Sequence, residues 1–288
     1  MAFITRFAPS PTGLLHLGHA FSALTAFDAA RAAGGRFLLR IEDIDQSRCR
    51  PGYEAALLED LAWLGLTWEV PVRRQSDHTP DYQKTLDHLR GMGLVYRCFL
   101  TRREIAEQSA SAPHDSDQAV IYRGPAQRMS SDEEESRIAA GQSYAWRLSV
   151  SCSQDLLGEE FAHLVFEEHN AGPNGERGVV KARPESLGDV ILARKDAPTS
   201  YHLAVTHDDA LQDITHVIRG QDLFASTHVH VLLQRLLGWP TPIYRHHALL
   251  TGPDGKRYAK RDQSLTLAAL RASGETAASI RARIGLPA

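Results

Sequence analysis

Apolar and polar positions along the chain follow two alternating periods. Phe3 to Phe7 is a short apolar-rich run stopped by Pro9, Pro11 and Gly13, which predicts a buried first strand running into a loop. From Leu17 to Arg31 the residues Leu17, Phe21, Leu24 and Phe27 recur at helical spacing until Gly34-Gly35, and Arg36 to Ile41 returns to a strand-like run. A strand, helix, strand unit of this kind builds parallel sheet, and its first loop lies at a helix N-terminus, where anionic ligands are favoured. Glu54 to Leu64 and Tyr82 to Met92 predict two more helices, closed by Gly65 and Gly93.

The alternation breaks after Tyr96. A polar segment around Ser109 to Asp117, a capping box Ser131-x-x-Glu134 opening a helix that ends at Gly141, and a strand Tyr144 to Val150 predict an insertion. The acidic run Asp132 to Glu135 within it is ordinary charge at a helix start. After Asp189 the α/β pattern predicts strands Val190 to Arg194 and His202 to Val205, then a helix Ser226 to Leu237 ended by Gly238 and Pro240. Leu265 to Arg271 and Ala277 to Arg283 predict two short helices. The expected class is α/β: residues 1–95 form the first half of a Rossmann-like domain, 96–188 a smaller α+β insertion, 189–262 the second half and 263–288 a helical C-terminal segment.

Composition narrows the class. With 288 residues, 43% hydrophobic and 23% charged, the chain has the makeup of a soluble globular protein. Cys49, Cys98 and Cys152 are widely spaced with no C-x-x-C pair, which points to a reducing, cytoplasmic setting. No run approaches the roughly 18 apolar residues of a membrane span, and the N-terminus lacks a secretory pattern. The net charge of −3 gives no overall attraction to polyanions, so any such site must be local. P-loop, zincin, G-x-S-x-G and G-x-G-x-x-G motifs are absent from the sequence.

The chemistry concentrates in three places. In Arg6-Phe7-Ala8-Pro9-Ser10-Pro11-Thr12-Gly13-Leu14-Leu15-His16-Leu17-Gly18-His19, two histidines three residues apart share a face at a helix start, and Gly18 leaves room for close approach of a ligand. A triphosphate there would meet free N–H groups, the helix dipole and two imidazoles. Leu39-Arg40-Ile41-Glu42-Asp43-Ile44-Asp45 crowds four charges at the C-terminal end of the second strand, the edge where open α/β sheets bind ligands; in isolation it reads as a polar exit from the sheet. Near the end lies Thr251-Gly252-Pro253-Asp254-Gly255-Lys256-Arg257-Tyr258-Ala259-Lys260-Arg261.

Together these strings resemble the His-x-Gly-His and Lys-Met-Ser-Lys-Ser signatures of class I aminoacyl-tRNA synthetases, in the glutamyl and glutaminyl branch. The second signature is degraded, with Lys260 keeping its identity. The strings His16 to Leu24, Arg40 to Ile44 and Arg219-Gly220-Gln221-Asp222-Leu223 look most like the glutamyl-Q tRNA(Asp) synthetase family, whose members lack an anticodon-binding domain. The 27 residues after Arg261 fit that expectation. The resemblance implies a class I catalytic domain that uses MgATP to activate L-glutamate and passes it to queuosine in tRNA(Asp). His16, Gly18, His19 and Lys260 would hold the nucleotide, with His16, His19 and Lys260 catalytic. Arg6, Ala8, Ser10, Glu42, Tyr201 and Arg219 would bind glutamate, Arg6 and Arg219 together selecting it over glutamine.

A monomer is expected. Many relatives hold zinc in the insertion, but the aligned positions here are Cys98, Leu100, Tyr122 and Ala126, and two of these cannot ligate, so no structural zinc is expected. Cys152 and His163 have no supporting spacing. His228 and His230 read as packing or surface residues, and His246-His247 as a structural pair. Arg97, Arg102, Arg103, Arg123 and Arg128 suit either a tRNA-facing or a solvated face. The alternatives are a minimal glutamyl-tRNA synthetase charging tRNA(Glu), a glutamate-activating enzyme with another acceptor, and a non-catalytic tRNA-binding protein.

Overall fold

The computed structural model describes residues 2–110, 121–125, 128–194, 197–250 and 266–287. The second signature, with Lys260, lies outside the described residues. The chain opens with β1 (Ile4–Phe7), α1 (Leu17–Ala32) and β2 (Arg36–Ile41), the two strands parallel with Ile4 opposite Arg36 and Phe7 opposite Leu39. Then come α2 (Pro51–Trp63), the short β3 (Arg73–Arg74) parallel to the end of β2, and α3 (Thr79–Gly91). The middle of the chain holds β4 (Val95–Cys98), α4 (Arg102–Ala110), α5 (Ser131–Ala139), β5 (Ala145–Leu148), α6 (Val150–Leu157) and α7 (Glu159–Ala162). It continues with β6 (Val165–Glu168), β7 (Gly178–Lys181), β8 (Ile191–Arg194), α8 (Tyr201–Leu211), β9 (His216–Gly220), α9 (Phe224–Leu236) and β10 (Ile243–His247). It closes with α10 (Leu267–Ala272) and α11 (Ala277–Arg283).

The parallel strands form two groups, β1-β2-β3 and β7-β6-β10-β9, with β7 antiparallel at the edge. Thr215, just before β9, ties the groups together. Its N–H donates to the Ile4 carbonyl at 3.0 Å, and its Oγ1 accepts from the Ile4 N–H at 2.8 Å. Strand parity then decides what each face carries. Phe37, Leu39 and Ile41 of β2 pack on one side with α1, α2, α10 and α11, through Leu24, Leu61, Leu267 and Ile280. Leu38 of β2, Ile4 of β1, Val217 of β9 and Tyr244 of β10 pack on the other side with Leu86 of α3, Leu203 of α8 and Leu232 of α9. A sheet covered on both faces gives the near-continuous apolar runs seen in β1 and β2. The same parity sends Arg6, Arg40, Arg219 and His246 toward the face covered by α8 and α9.

Three readings need correction. His202 to Val205 is not a strand but the first turn of α8. Its four-residue window is uniformly apolar enough to pass for a strand, and the helical period emerges only further on, as buried Ala204 and Asp208 fall on one face. Val190 to Arg194 does supply a strand, but β8 pairs antiparallel with β5 in the separate sheet β4-β5-β8, not with the parallel strands. Local sequence carries strand tendency, whereas the partner is a long-range choice. The α5 cap is Ser130, which accepts from the Glu133 N–H at 3.3 Å, one residue before the predicted Ser131. Among the described residues no helix is long and apolar enough to cross a membrane.

Candidate active site

A cavity of about 460 Å³ opens at the carboxyl ends of β1, β2, β9 and β10, where the two groups of parallel strands meet. Arg6, Ala8, Ser10, His16, Gly18, His19, Glu42, Tyr201 and Arg219 all line it. The sequence-predicted residues that are described therefore converge, although they come from four segments of the chain.

The first corner is the N-terminus of α1. His16 is its N-cap, with Nδ1 accepting from the Gly18 N–H at 3.1 Å, and His19 Nδ1 accepts from the His16 N–H at 3.2 Å. This is a reciprocal capping box built from imidazoles, where hydroxyl and carboxylate groups are usual. A ring nitrogen that accepts a backbone N–H is unprotonated, so in each neutral ring the proton sits on Nε2. The rings lie against each other with centroids 3.8 Å apart and planes tilted by 35°. Gly18 leaves room for this fold-back: a Cβ there would meet His16 Cε1 at 3.0 Å, and the ring would have to give by a few tenths of an ångström. The corner thus sets two imidazoles on the cavity wall at the positive end of the α1 dipole, surroundings that favour an anion. Thr266 pairs with His16, and the Leu267 N–H donates to the Leu15 carbonyl at 2.8 Å, bringing the C-terminal helices against this loop.

On the β1–β2 side, arginines meet carboxylates. Arg6 grips Asp209 through Nε and Nη2 at 2.9 and 3.2 Å. Arg40, fully buried, donates through Nη2 to Asp209 at 2.8 Å and to Glu42 at 3.3 Å, and through Nη1 to the Gln212 side chain at 2.9 Å. Asp208 takes Arg73, Gln75 and Tyr82 at 2.8, 3.0 and 2.8 Å. Burial works to raise its pKa, but hydrogen bonds from His207 and Gln75, with the nearby Arg40 and Arg73 cations, bring it down to about 2. For Glu42 the balance tips the other way, burial raising its pKa against the pull of Arg40 and Arg6. The Arg40 to Asp45 segment is thus no polar exit; Arg40, Glu42 and Asp43 are all buried.

Arg219 sits in different surroundings. Its Nη1 donates to the Tyr201 hydroxyl at 3.1 Å, its Nη2 to Thr227 Oγ1 at 2.8 Å and the Leu223 carbonyl at 3.2 Å, and its Nε to His246 Nε2 at 3.1 Å. His230 Nδ1 is 3.4 Å from Nη1, and its Nε2 is 3.2 Å from His202 Nδ1. Burial and the Arg219 cation push the His230 pKa well below the usual histidine value and that of His202 down to about 4, so both rings are neutral at pH 7. Among the described residues, no carboxylate pairs with Arg219.

Comparison with known proteins agrees with this geometry. A family model described as tRNA synthetases class I (E and Q), catalytic domain, matches residues 2–284. The glutamyl-Q tRNA(Asp) synthetase of Rhodobacter capsulatus is 51% identical, the match covering 98% of this chain and 100% of that protein. The chain belongs to the glutamyl-Q tRNA(Asp) synthetase family. The member from Symbiobacterium thermophilum is 41% identical over 93% of this chain and 81% of its own length. Among solved structures, a glutamate tRNA ligase from Elizabethkingia meningosepticum in complex with its amino acid superposes with a TM-score of 0.72 at 29% identity. That match covers 91% of this chain and 52% of the ligase, so the chain spans about half of it.

Within this member of the family, several residues that hold or line the cavity wall escaped sequence reasoning. Asp209, the shared partner of Arg6 and Arg40, was hidden in the segment read as a strand and its sequel. His230 and His246 read as packing residues but contact Arg219 directly. His247 lines the cavity itself, its Nε2 3.1 Å from Ser22 Oγ, with Phe21 edge-on to the ring. His228 is peripheral, accepting from the Arg183 N–H at 3.2 Å.

At the positions that the resemblance aligns with a zinc site, the chain lacks a full set of donor side chains. Leu100 and Ala126 supply no donor, and buried Cys98 has its Sγ 3.8 Å from the Tyr122 hydroxyl. Asp189 instead joins the neighbouring segments, accepting from Tyr96 at 2.7 Å and from the Val150 N–H at 2.9 Å. Among the insertion arginines, Arg97 pairs with Glu134, Arg103 with Glu107, and Arg128 lies over the Tyr96 ring, 4.2 Å from its centroid.

Proposed function

We propose that the chain activates L-glutamate with MgATP to glutamyl-adenylate and transfers the glutamate to queuosine at the wobble position of tRNA(Asp). The observation that carries the reading is the pairing, in one cavity, of the α1 N-terminus and its two histidines with a buried Arg219 that no carboxylate contacts among the described residues. Such a guanidinium is left for a substrate side-chain carboxylate, and a neutral amide would leave its charge unmatched. In this reading Glu42 receives the α-amino group and Tyr201 and Ser10 bound the amino acid, all three lining the cavity. Arg6 lines the same space but is committed to Asp209 through two N–H groups, so selectivity for glutamate rests mainly on Arg219.

His16 and His19 are proposed to hold the triphosphate at the α1 N-terminus while the glutamate α-carboxylate attacks the α-phosphate and pyrophosphate departs. Chemistry of this kind is served mainly by positioning and charge neutralisation. Magnesium enters with ATP as part of the substrate. Lys260 is assigned, through the resemblance of its loop, to stabilise the leaving pyrophosphate. The reading places the protein in the cytoplasm as a monomer.

Glutamate-dependent ATP–pyrophosphate exchange tests the first step. Exchange is expected in the wild type and should fall about 10²- to 10³-fold in Lys260→Ala; no exchange would sink the mechanism. Product mapping tests the second step: [14C]glutamate on the anticodon fragment of tRNA(Asp) supports the reading, and label on a terminal adenosine rejects it.

A further inference from the structure

Behind Arg219, away from the cavity, lies a buried pair with no assigned part in the reaction. Glu168 ends β6 and His246 lies on β10, next to Arg219 in the parallel register of β9 and β10. Both side chains are fully buried. Glu168 Oε1 accepts two backbone N–H groups, from Asn170 at 2.9 Å and His246 at 3.0 Å. Its Oε2 lies 2.5 Å from His246 Nδ1. An ionised carboxylate only accepts, so the proton between them belongs to Nδ1 and the lone pair of the ring to Nε2. That lone pair faces the Arg219 Nε–H at 3.1 Å. An imidazolium, or the other tautomer, would instead set an N–H against an N–H.

We infer that Glu168 and His246 are positioning residues for the glutamate-binding arginine: Glu168 fixes the His246 tautomer, and the His246 lone pair fixes the plane of the Arg219 guanidinium. The inference rests on the proposed role of Arg219. A guanidinium is planar, so anchoring Nε at its back determines where Nη1 points, here toward the Tyr201 hydroxyl at the cavity wall. Thr227 Oγ1, 2.8 Å from Nη2, holds the far edge of the same plane. The pair thereby acts on substrate affinity without touching substrate.

Glu168→Gln is the discriminating change. Its amide oxygen must take the two backbone N–H groups, which turns the NH₂ toward His246 Nδ1. The ring then has to accept at Nδ1 and carry its proton on Nε2, facing Arg219. Loss of a contact made equally in ground and transition states raises KM and spares kcat. In glutamate-dependent pyrophosphate exchange, the KM for glutamate should rise about 10-fold or more, with kcat changed less than about 3-fold and the KM for ATP unaltered.

His246→Gln, whose amide oxygen restores an acceptor near the Nε2 position, should be milder than His246→Leu, and this pair decides the matter if Glu168→Gln does not fold. Nitrogen-15 histidine spectra of the wild type, assigned by loss of the His246 signal, should show the Nδ1–H tautomer. An Nε2–H ring, an unchanged glutamate KM in folded Glu168→Gln, or equal effects of the two His246 variants would overturn the inference. Should the wild type show no exchange, the functional reading fails on its own, and the tautomer still judges the pair.

Discussion

Two sides of one cavity solve the problem of buried arginine in opposite ways. On the β1–β2 side, Arg6 and Arg40 meet Asp209 and Glu42, and their charge is answered within the protein. On the β9–β10 side, Arg219 is held by a hydroxyl pair, a carbonyl and neutral histidines, with the nearest carboxylate in this network, Glu168, one imidazole away behind His246 and not in contact with the guanidinium. The first arrangement builds a wall, and the second presents a cation. A buried arginine is therefore informative about ligands only once its partners are known.

The largest expected effect breaks the wall. Asp209→Ala would leave Arg6 and Arg40 without their shared carboxylate, and loss of one partner of a buried pair typically costs about 3–5 kcal/mol, measurable by urea unfolding. Arg219→Leu should invert the pattern. It leaves only neutral acceptors unpaired, at about 1–3 kcal/mol of stability, while kcat/KM for glutamate falls about 10²-fold or more. If Arg219→Leu unfolds the protein as readily as Asp209→Ala, the contrast between the two sides is wrong.

Acid titration sharpens the contrast further, because each side loses stability in its own window. The fold depresses the His202 pKa from 6.5 to about 4, so its contribution is complete above pH 6.5 and disappears as pH falls toward 4. The fold depresses the Asp208 pKa from 3.8 to about 2, so that contribution survives to pH 3.8 and is lost below it. The shifts correspond to at most about 3.5 kcal/mol for His202 and about 2.5 kcal/mol for Asp208. Urea midpoints measured against pH should show two steps, the upper one flattened by His202→Gln.

The smallest effect tests whether the cavity divides its substrates. Gly18→Ala should push the His16 ring off its cap, cost about 1 kcal/mol and raise the KM for ATP while leaving that for glutamate near wild type.

Much of this was legible from the residues alone. The β1-α1-β2 unit follows from its apolar periods, and the cavity-lining residues were picked out by motif because they lie at strand ends and a helix start. What stayed hidden depends on long-range pairing. Asp208 and Asp209 look like surface acids until α8 is laid against β1 and β2, and β8 looks like any strand until β5 claims it. His246 is half of a histidine pair at a strand end until register sets it beside Arg219.

The most direct test compares glutamate with glutamine in ATP–pyrophosphate exchange by the wild-type protein. An Arg219 guanidinium that no carboxylate contacts among the described residues predicts exchange with glutamate and at least about 10²-fold less with glutamine. Comparable exchange with both amino acids would contradict the account.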